Sequence, residues 1–247
     1  MTISRTGEAT GPAGYLYPLL AWMSPAFPIG AYTYSHGLEW AVEEGTVRDA
    51  GTLEAWLRDV LHHGAGRTDA ILLARGQAAA HAGDTATFRD LLDLSLALQP
   101  SSERRLETTA QGDAFIAAVA AAWPPAGDGP PQRLFADLTA GPQAIPRGDW
   151  SYPLALALAA AAWQMPPGPV VTACLQAFTA NLISAAVRAV PLGQTAGQTV
   201  QQRLAPAVAA LADLALTAPV EEIGGCAFAA DIASMRHETQ YTRLFRS

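Results

Sequence analysis

The chain predicts an all-α fold, a single-domain bundle of about ten helices. Apolar residues recur near a 3.6-residue period along most of its length, the mark of helices with one buried face. Strand signals are almost absent, since no alternating run of β-branched residues exceeds a few positions. No self-similarity at a fixed period points to a solenoid, and 247 residues suffice to bury a substantial core.

The elements follow in chain order. A short apolar helix is expected at 15–22. Pro25 and Pro28 then interrupt it by fixing φ and removing two backbone donors. Gly30 and Gly37 permit positive φ or close approach, and a helix at 36–44 begins after Ser35. At 52–64, Leu53, Trp56, Leu57, Val60 and Leu61 form one stripe, with Thr52 as the expected cap. Helices follow at 67–82, at 85–97 behind Asp84, and at 102–122 behind Ser101. Trp123 is expected to pack at a helix end, before the clearest loop, Pro124 to Pro131. Beyond 132–139 come two uncharged helices, 151–164 and 169–188, divided by Pro166-Pro167-Gly168-Pro169. The first is too short to span a bilayer and the second carries Thr172, Gln176, Thr179, Asn181 and Ser184, so both read as buried central helices. Pro191-Leu192-Gly193-Gln194 turns the chain into 195–216, where Val200, Leu204, Val208, Leu211 and Ala215 repeat the stripe. A last helix is expected at 228–239.

Composition excludes several functions. The net charge of −7 argues against non-specific nucleic-acid binding, which needs Lys and Arg to displace counterions from phosphate. The chain has no lysine; its 15 basic residues are all Arg. A Walker A loop, a kinase-type nucleotide lysine and Schiff-base chemistry are thereby excluded, because each needs a Lys amine. Only 15% of residues are charged, against about 25% in ordinary soluble domains, so much surface is weakly polar or covered by a partner. Cys174 and Cys226 form no CxxC pair and read as buried free thiols. Residues 1–14 are polar and rich in Gly and Pro without an apolar segment, so the expectation is a flexible arm and a cytoplasmic location.

No catalytic motif is legible. His62 and His63 are adjacent and point about 100° apart on a helix, so they do not chelate one ion together and read as a solvated helix end. His237-Glu238 begins an HExxH pattern, but Tyr241 stands where its second His belongs. Glu43-Glu44 and Glu221-Glu222 read as solvated charge. Arg188, closing an uncharged helix, is either a helix-end cation or the partner of a buried carboxylate such as Glu39, since a buried unpaired Arg is costly. Residues 236–247 carry Arg236, Arg243 and Arg246 with Tyr241, Leu244 and Phe245 between them, residue types enriched at interface hot spots. They read as an exposed partner-binding tail, or as a tail folded back onto the bundle.

Four segments in order carry a resemblance. The run Ser24-Pro25-Ala26-Phe27-Pro28-Ile29-Gly30-Ala31-Tyr32-Thr33-Tyr34-Ser35-His36-Gly37-Leu38-Glu39 comes first. Ser102-Glu103 through Gln111-Gly112 lies centrally. Ser184 to Arg188 then leads into Pro191-Leu192-Gly193-Gln194 and Gln198, and the chain closes with Asp231-Ile232-Ala233-Ser234, His237-Glu238 and Arg243-Leu244-Phe245-Arg246-Ser247. From about Tyr15 to Ser247 the chain resembles the UreF family of urease accessory proteins. It departs from that pattern at Tyr152-Pro153, where Leu154-Ala155-Leu156-Ala157 follows without the usual Gly, and at Arg188, where Lys is also common.

The resemblance implies a non-enzymatic helical scaffold that dimerises, binds the UreD/UreH accessory protein and recruits the GTPase UreG, so that nickel reaches apo-urease. Nickel and GTP would be handled through partners, with no cofactor bound stably, no nucleic acid and no membrane. It implies a division into an arm at 1–14, a helical domain at 15–235 and a partner-binding tail at 236–247. It points to Pro28, Gly30, Tyr34, Ser35, Gly37 and Glu39, to Arg188, Pro191, Gly193, Gln194 and Gln198, and to Arg236, His237, Glu238, Arg243, Leu244, Phe245 and Arg246 as the functional core or partner surface. Two alternatives stay open: a GTPase-activating role through an Arg supplied in trans, and an enzyme whose site converges from distant segments.

Overall fold

The computed structural model describes residues 12–247. Its helices are α1 (Pro12–Trp22), α2 (Leu38–Glu43), α3 (Ala50–His63), α4 (Ala65–Ala82), α5 (Thr85–Ala97), α6 (Ser102–Ala122), α7 (Pro130–Thr139), α8 (Tyr152–Ala162), α9 (Pro167–Ala189), α10 (Gln194–Thr217) and α11 (Phe228–His237). Two 3₁₀ turns, Ala31–Thr33 and Val220–Glu222, complete the secondary structure, and no strand forms among the described residues. The expected arm at 1–14 lies outside the described residues as far as Gly11; Pro12 to Gly14 belong to α1.

α8 is the centre of the bundle, packed by α4, α5, α6 and α7. Every residue from Pro153 to Ala162 is buried. The Leu/Ala sequence explains this: it leaves no polar side chain to solvate, and the alanines let neighbouring helices come close. α9 packs against α10, and α10 against α3 and α4, to form the second layer. The expectation that α9 is buried like α8 is corrected. α9 has the length and composition of a membrane span, yet only 44% of its apolar window is buried. Val171, Leu175 and Leu182 face the core while Thr172, Gln176 and Ser184 face outward. Gly112 allows α6 to lie on the segment before α8, since a Cβ there would stand 2.2 Å from the Trp150 carbonyl oxygen.

The caps refine the expected boundaries. Asp84 and Ser101 cap α5 and α6, their side chains accepting from the N–H of Thr87 at 3.0 Å and of Arg104 at 3.1 Å. The cap of α3 is Asp49 rather than Thr52. Asp49 Oδ1 accepts from Thr52 N–H at 2.8 Å while Thr52 Oγ1 accepts from Asp49 N–H at 3.0 Å, a reciprocal capping box. α7 and α9 begin two residues before the expected starts, at Pro130 and Pro167, because proline suits a first turn whose N–H groups lack helical partners. The helix expected at 36–44 is shorter, because His36 and Gly37 take positive φ of 57° and 75° and hold the helix start at Leu38. α11 ends at His237, two residues before the expected limit.

Candidate functional site

α2 packs against α11 and α9, and α11 also against α6. This brings the first signature run, the start of α6 and the C-terminal tail to one place. Gly37 makes the approach possible: its φ is +75°, and a Cβ would lie 2.5 Å from Ser234 N and 2.8 Å from Ser234 Cα. Only glycine satisfies both conditions.

Glu39, in the first turn of α2, is buried. Its carboxylate accepts the backbone N–H of Leu244 at 2.6 Å and of Phe245 at 3.0 Å, and lies 3.2 Å from His237 Nε2. His237 is fully buried, with its other ring nitrogen 2.6 Å from Glu103. Glu103 also accepts from Arg243 Nη1 at 2.7 Å. Glu238 caps the start of α6 from outside, accepting from Ser102 N–H at 2.8 Å. The tail then runs beside the signature loop: Arg246 N–H donates to the Thr33 carbonyl at 2.8 Å and Ser35 N–H to the Ser247 carbonyl at 2.6 Å. Ser247 Oγ donates to Glu107 at 2.6 Å. These contacts form a clasp that ties residues near both ends of the chain to α6. The buried carboxylates in it are fully engaged, which offsets their desolvation.

Beneath the clasp lies a second charged group. Arg104 pairs with Glu107, and His36 Nε2 donates to Glu107 Oε1 at 2.7 Å. Burial pushes the Glu107 carboxyl up, but Arg104 and His36 outweigh it and hold the pKa at about 2. Burial lowers the His36 pKa, and Arg104 lowers it further, against the opposing pull of Glu107. The left-handed backbone of His36 is held by the Glu107 bond and by an edge contact with Phe178, ring centroids 5.0 Å apart. Asp69 on α4 faces the same interior. Burial raises its pKa to about 6, against partial relief from Arg104.

Several expected site residues therefore converge: Tyr34, Ser35, Gly37, Glu39, His237, Glu238, Arg243, Leu244 and Phe245. Arg188 takes the first of its two expected roles, the helix-end cation, and not the second. It makes no pair with Glu39; it donates to the Tyr32 carbonyl at 2.8 Å and to the Ser184 carbonyl at 3.1 Å. Its guanidinium lies 4.4 Å from the centre of the Phe245 ring, a cation–π contact. Glu39 is already saturated by backbone N–H groups and His237, so it does not need the guanidinium. Pro28, Pro191, Gly193, Gln194, Gln198 and Arg236 are exposed and stand outside the clasp, and Gly30 is partly buried at the left-handed start of the 3₁₀ turn. Of the two readings of the tail, the one folded back onto the bundle holds. Phe245 and Ser247 are buried and only Tyr241, Leu244 and their polar neighbours project outward. Sequence reading did not single out His36, Asp69, Arg104 or Glu107. Arg104, Glu107, Thr108 and Gln111 form a polar stripe at helical spacing on a buried face, which is a legible signal; Asp69 offers none.

His62 and His63 are exposed in the last turn of α3, as expected, and no group of three or more His, Cys, Asp and Glu able to hold a metal ion occurs among the described residues. Cys174 and Cys226 are free thiols, but the expectation that both are buried is corrected: Cys174 is half-buried on α9 and Cys226 is exposed in the loop before α11.

Comparison with known proteins agrees with the motifs. The family model UreF matches residues 47–205. The urease accessory protein UreF of Rhodopseudomonas palustris (strain HaA2) is 50% identical over 232 residues, covering 94% of this chain and 93% of that relative. UreF of Xanthobacter autotrophicus is 49% identical over 240 residues, with 97% and 94% covered. UreF of Azorhizobium caulinodans is 47% identical over 247 residues, with both chains covered completely. With its signature loop, central α6 element and closing tail clasped together, and with relatives matching it end to end, the chain belongs to the UreF family of urease accessory proteins.

Proposed function

We propose that this protein is a non-catalytic, cytoplasmic scaffold of urease maturation. As a homodimer it binds the UreD/UreH accessory protein and recruits the GTPase UreG, so that nickel reaches apo-urease while UreG hydrolyses GTP. Family membership supplies the maturation role. The observation that carries the scaffold reading is the clasp. It fixes a short tail rigidly and leaves Tyr241 fully exposed and Leu244 70% exposed, beside Tyr32 at 62%. α11 adds exposed apolar side chains of its own, Phe228, Ile232 and Met235, spaced to share one helix face. Rigid aromatic and aliphatic anchors on an ordered frame suit protein recognition, because little ordering entropy remains to be lost on binding. The lack of lysine agrees with nucleotide being held by the partner.

Affinity capture tests the reading. Co-expressed with UreD/UreH and UreG from a urease-producing bacterium, the chain is expected to recover both partners at a stoichiometry that fits a dimer. The double variant Tyr241→Ala/Leu244→Ala is expected to lose at least tenfold in capture of UreD/UreH with unchanged melting, roughly the cost of two hot-spot truncations. Normal capture by that variant removes the tail surface from the proposal. A wild-type monomer that captures neither partner removes the scaffold itself.

A further inference from the structure

Between the loop after α1, α8 and α9 lies a cavity of about 270 Å³. Its walls are largely aromatic and apolar, with Trp22, Phe27, Tyr152 and Phe178 among them, and its floor is polar, formed by His36, Asp69, Arg104 and Glu107. Arg104 and Glu107 neutralise each other across their ion pair. One acceptor in the lining has no protein partner. Asp69 makes no hydrogen bond or ion pair among the described residues; its charged neighbours, Arg104 and Glu107, act on it only through space. His36 donates from Nε2 to Glu107, and its unpartnered Nδ1 is sealed off from any molecule the size of water.

A cavity carboxylate without a partner calls for a ligand with N–H donors. The absence of any three-residue His, Cys, Asp or Glu cluster suited to a metal ion among the described residues directs that need to an organic donor. Aromatic walls favour a cationic one, whose charge is attracted to ring faces. The volume lies just under the range of drug-sized pockets, about 300–1,000 Å³, so it admits a single ring or short chain and little more. We propose that this cavity binds a small organic cation, a primary ammonium or amidinium on an aromatic or short aliphatic body. Its head group donates to Asp69, and its body lies against Trp22 and Phe178. The site is independent of the scaffold reading: it would operate whether or not the tail binds a partner.

Calorimetric titration of the purified full chain with benzylamine, and with benzyl alcohol as its uncharged counterpart, tests the proposal. The expected result is saturable one-to-one benzylamine binding, roughly tenfold tighter than benzyl alcohol, the difference typical of one charge-assisted hydrogen bond. Asp69→Asn is expected to erase that preference while leaving helicity and benzyl alcohol binding unchanged. Equal affinity for the two probes, or no saturable benzylamine binding in the millimolar range, overturns the proposal. If Asp69→Asn does not fold, the ratio of the two affinities on the wild-type protein decides alone.

Discussion

Gly37 and Asp69 show how single residues carry opposite kinds of constraint. Gly37 is required twice, by its left-handed backbone and by the 2.5 Å that a Cβ would leave to Ser234 N. Gly37→Ala is expected to cost about 2–4 kcal/mol, combining backbone strain with displacement of α11, and urea unfolding measures it. Asp69 is held against its charge. Its pKa rises from 3.8 to about 6 because burial penalises the carboxylate. The folded state therefore binds the proton more tightly than the unfolded state, and the stability this contributes is present below pH 3.8 and lost as pH rises through about 6. Asp69→Asn escapes that loss, so its stability relative to wild type is expected to increase from pH 5 to pH 8 in paired urea titrations. Glu107 acts in the opposite sense. Its pKa falls from 4.5 to about 2, so its contribution is complete above pH 4.5 and disappears as pH falls toward 2. Glu107→Gln is expected to be most harmful near neutral pH, with the deficit narrowing below pH 4.

At the scale of elements, local chemistry set most boundaries. The Asp49–Thr52 box fixes the start of α3, and Asp49→Ala is expected to cost about 1 kcal/mol, read from the shift in the urea midpoint. The stripes of α3 and α10 were legible from period alone, because one buried face leaves its spacing in the sequence. Ser101 and Asp84 were legible because a cap is a short-range event. Among the missed starts, α7 and α9 open on a proline, Asp49 and Thr52 share the cap of α3, positive φ at His36 and Gly37 delays α2, and α4 begins at Ala65 directly after Gly64. α9 was misread as wholly buried because an uncharged helix face looks the same in sequence whether solvent or another surface lies against it. The polar interior was least legible. Glu39 and His237 stood out as motif residues, but their meeting depends on a separation of 198 positions that no local pattern encodes.

For the whole molecule, the clasp makes the tail part of the core. Removing residues 243–247 withdraws the buried Phe245 ring and strips Glu39, Glu103 and Glu107 of N–H and O–H donors. The truncated protein is expected to lose about 3–5 kcal/mol, the usual cost of losing a buried aromatic, with unpaired buried acceptors adding to it. Thermal denaturation followed by circular dichroism reads the loss. An unchanged melting temperature would show that the tail rests on the bundle without supporting it.

The clasp also has a bearing on synthesis. Glu39 leaves the ribosome early, and the backbone donors that satisfy it are translated 205 and 206 positions later. Ser35 waits 212 positions for Ser247. Throughout elongation the signature loop stays an unfinished half of a joint, with a carboxylate that water must solvate. Closure of so long a loop is a late and slow step. The clasp then forms only on chains translated at least as far as Ser247, so a copy stopped short of it leaves Ser35, Glu39 and Glu107 without these partners.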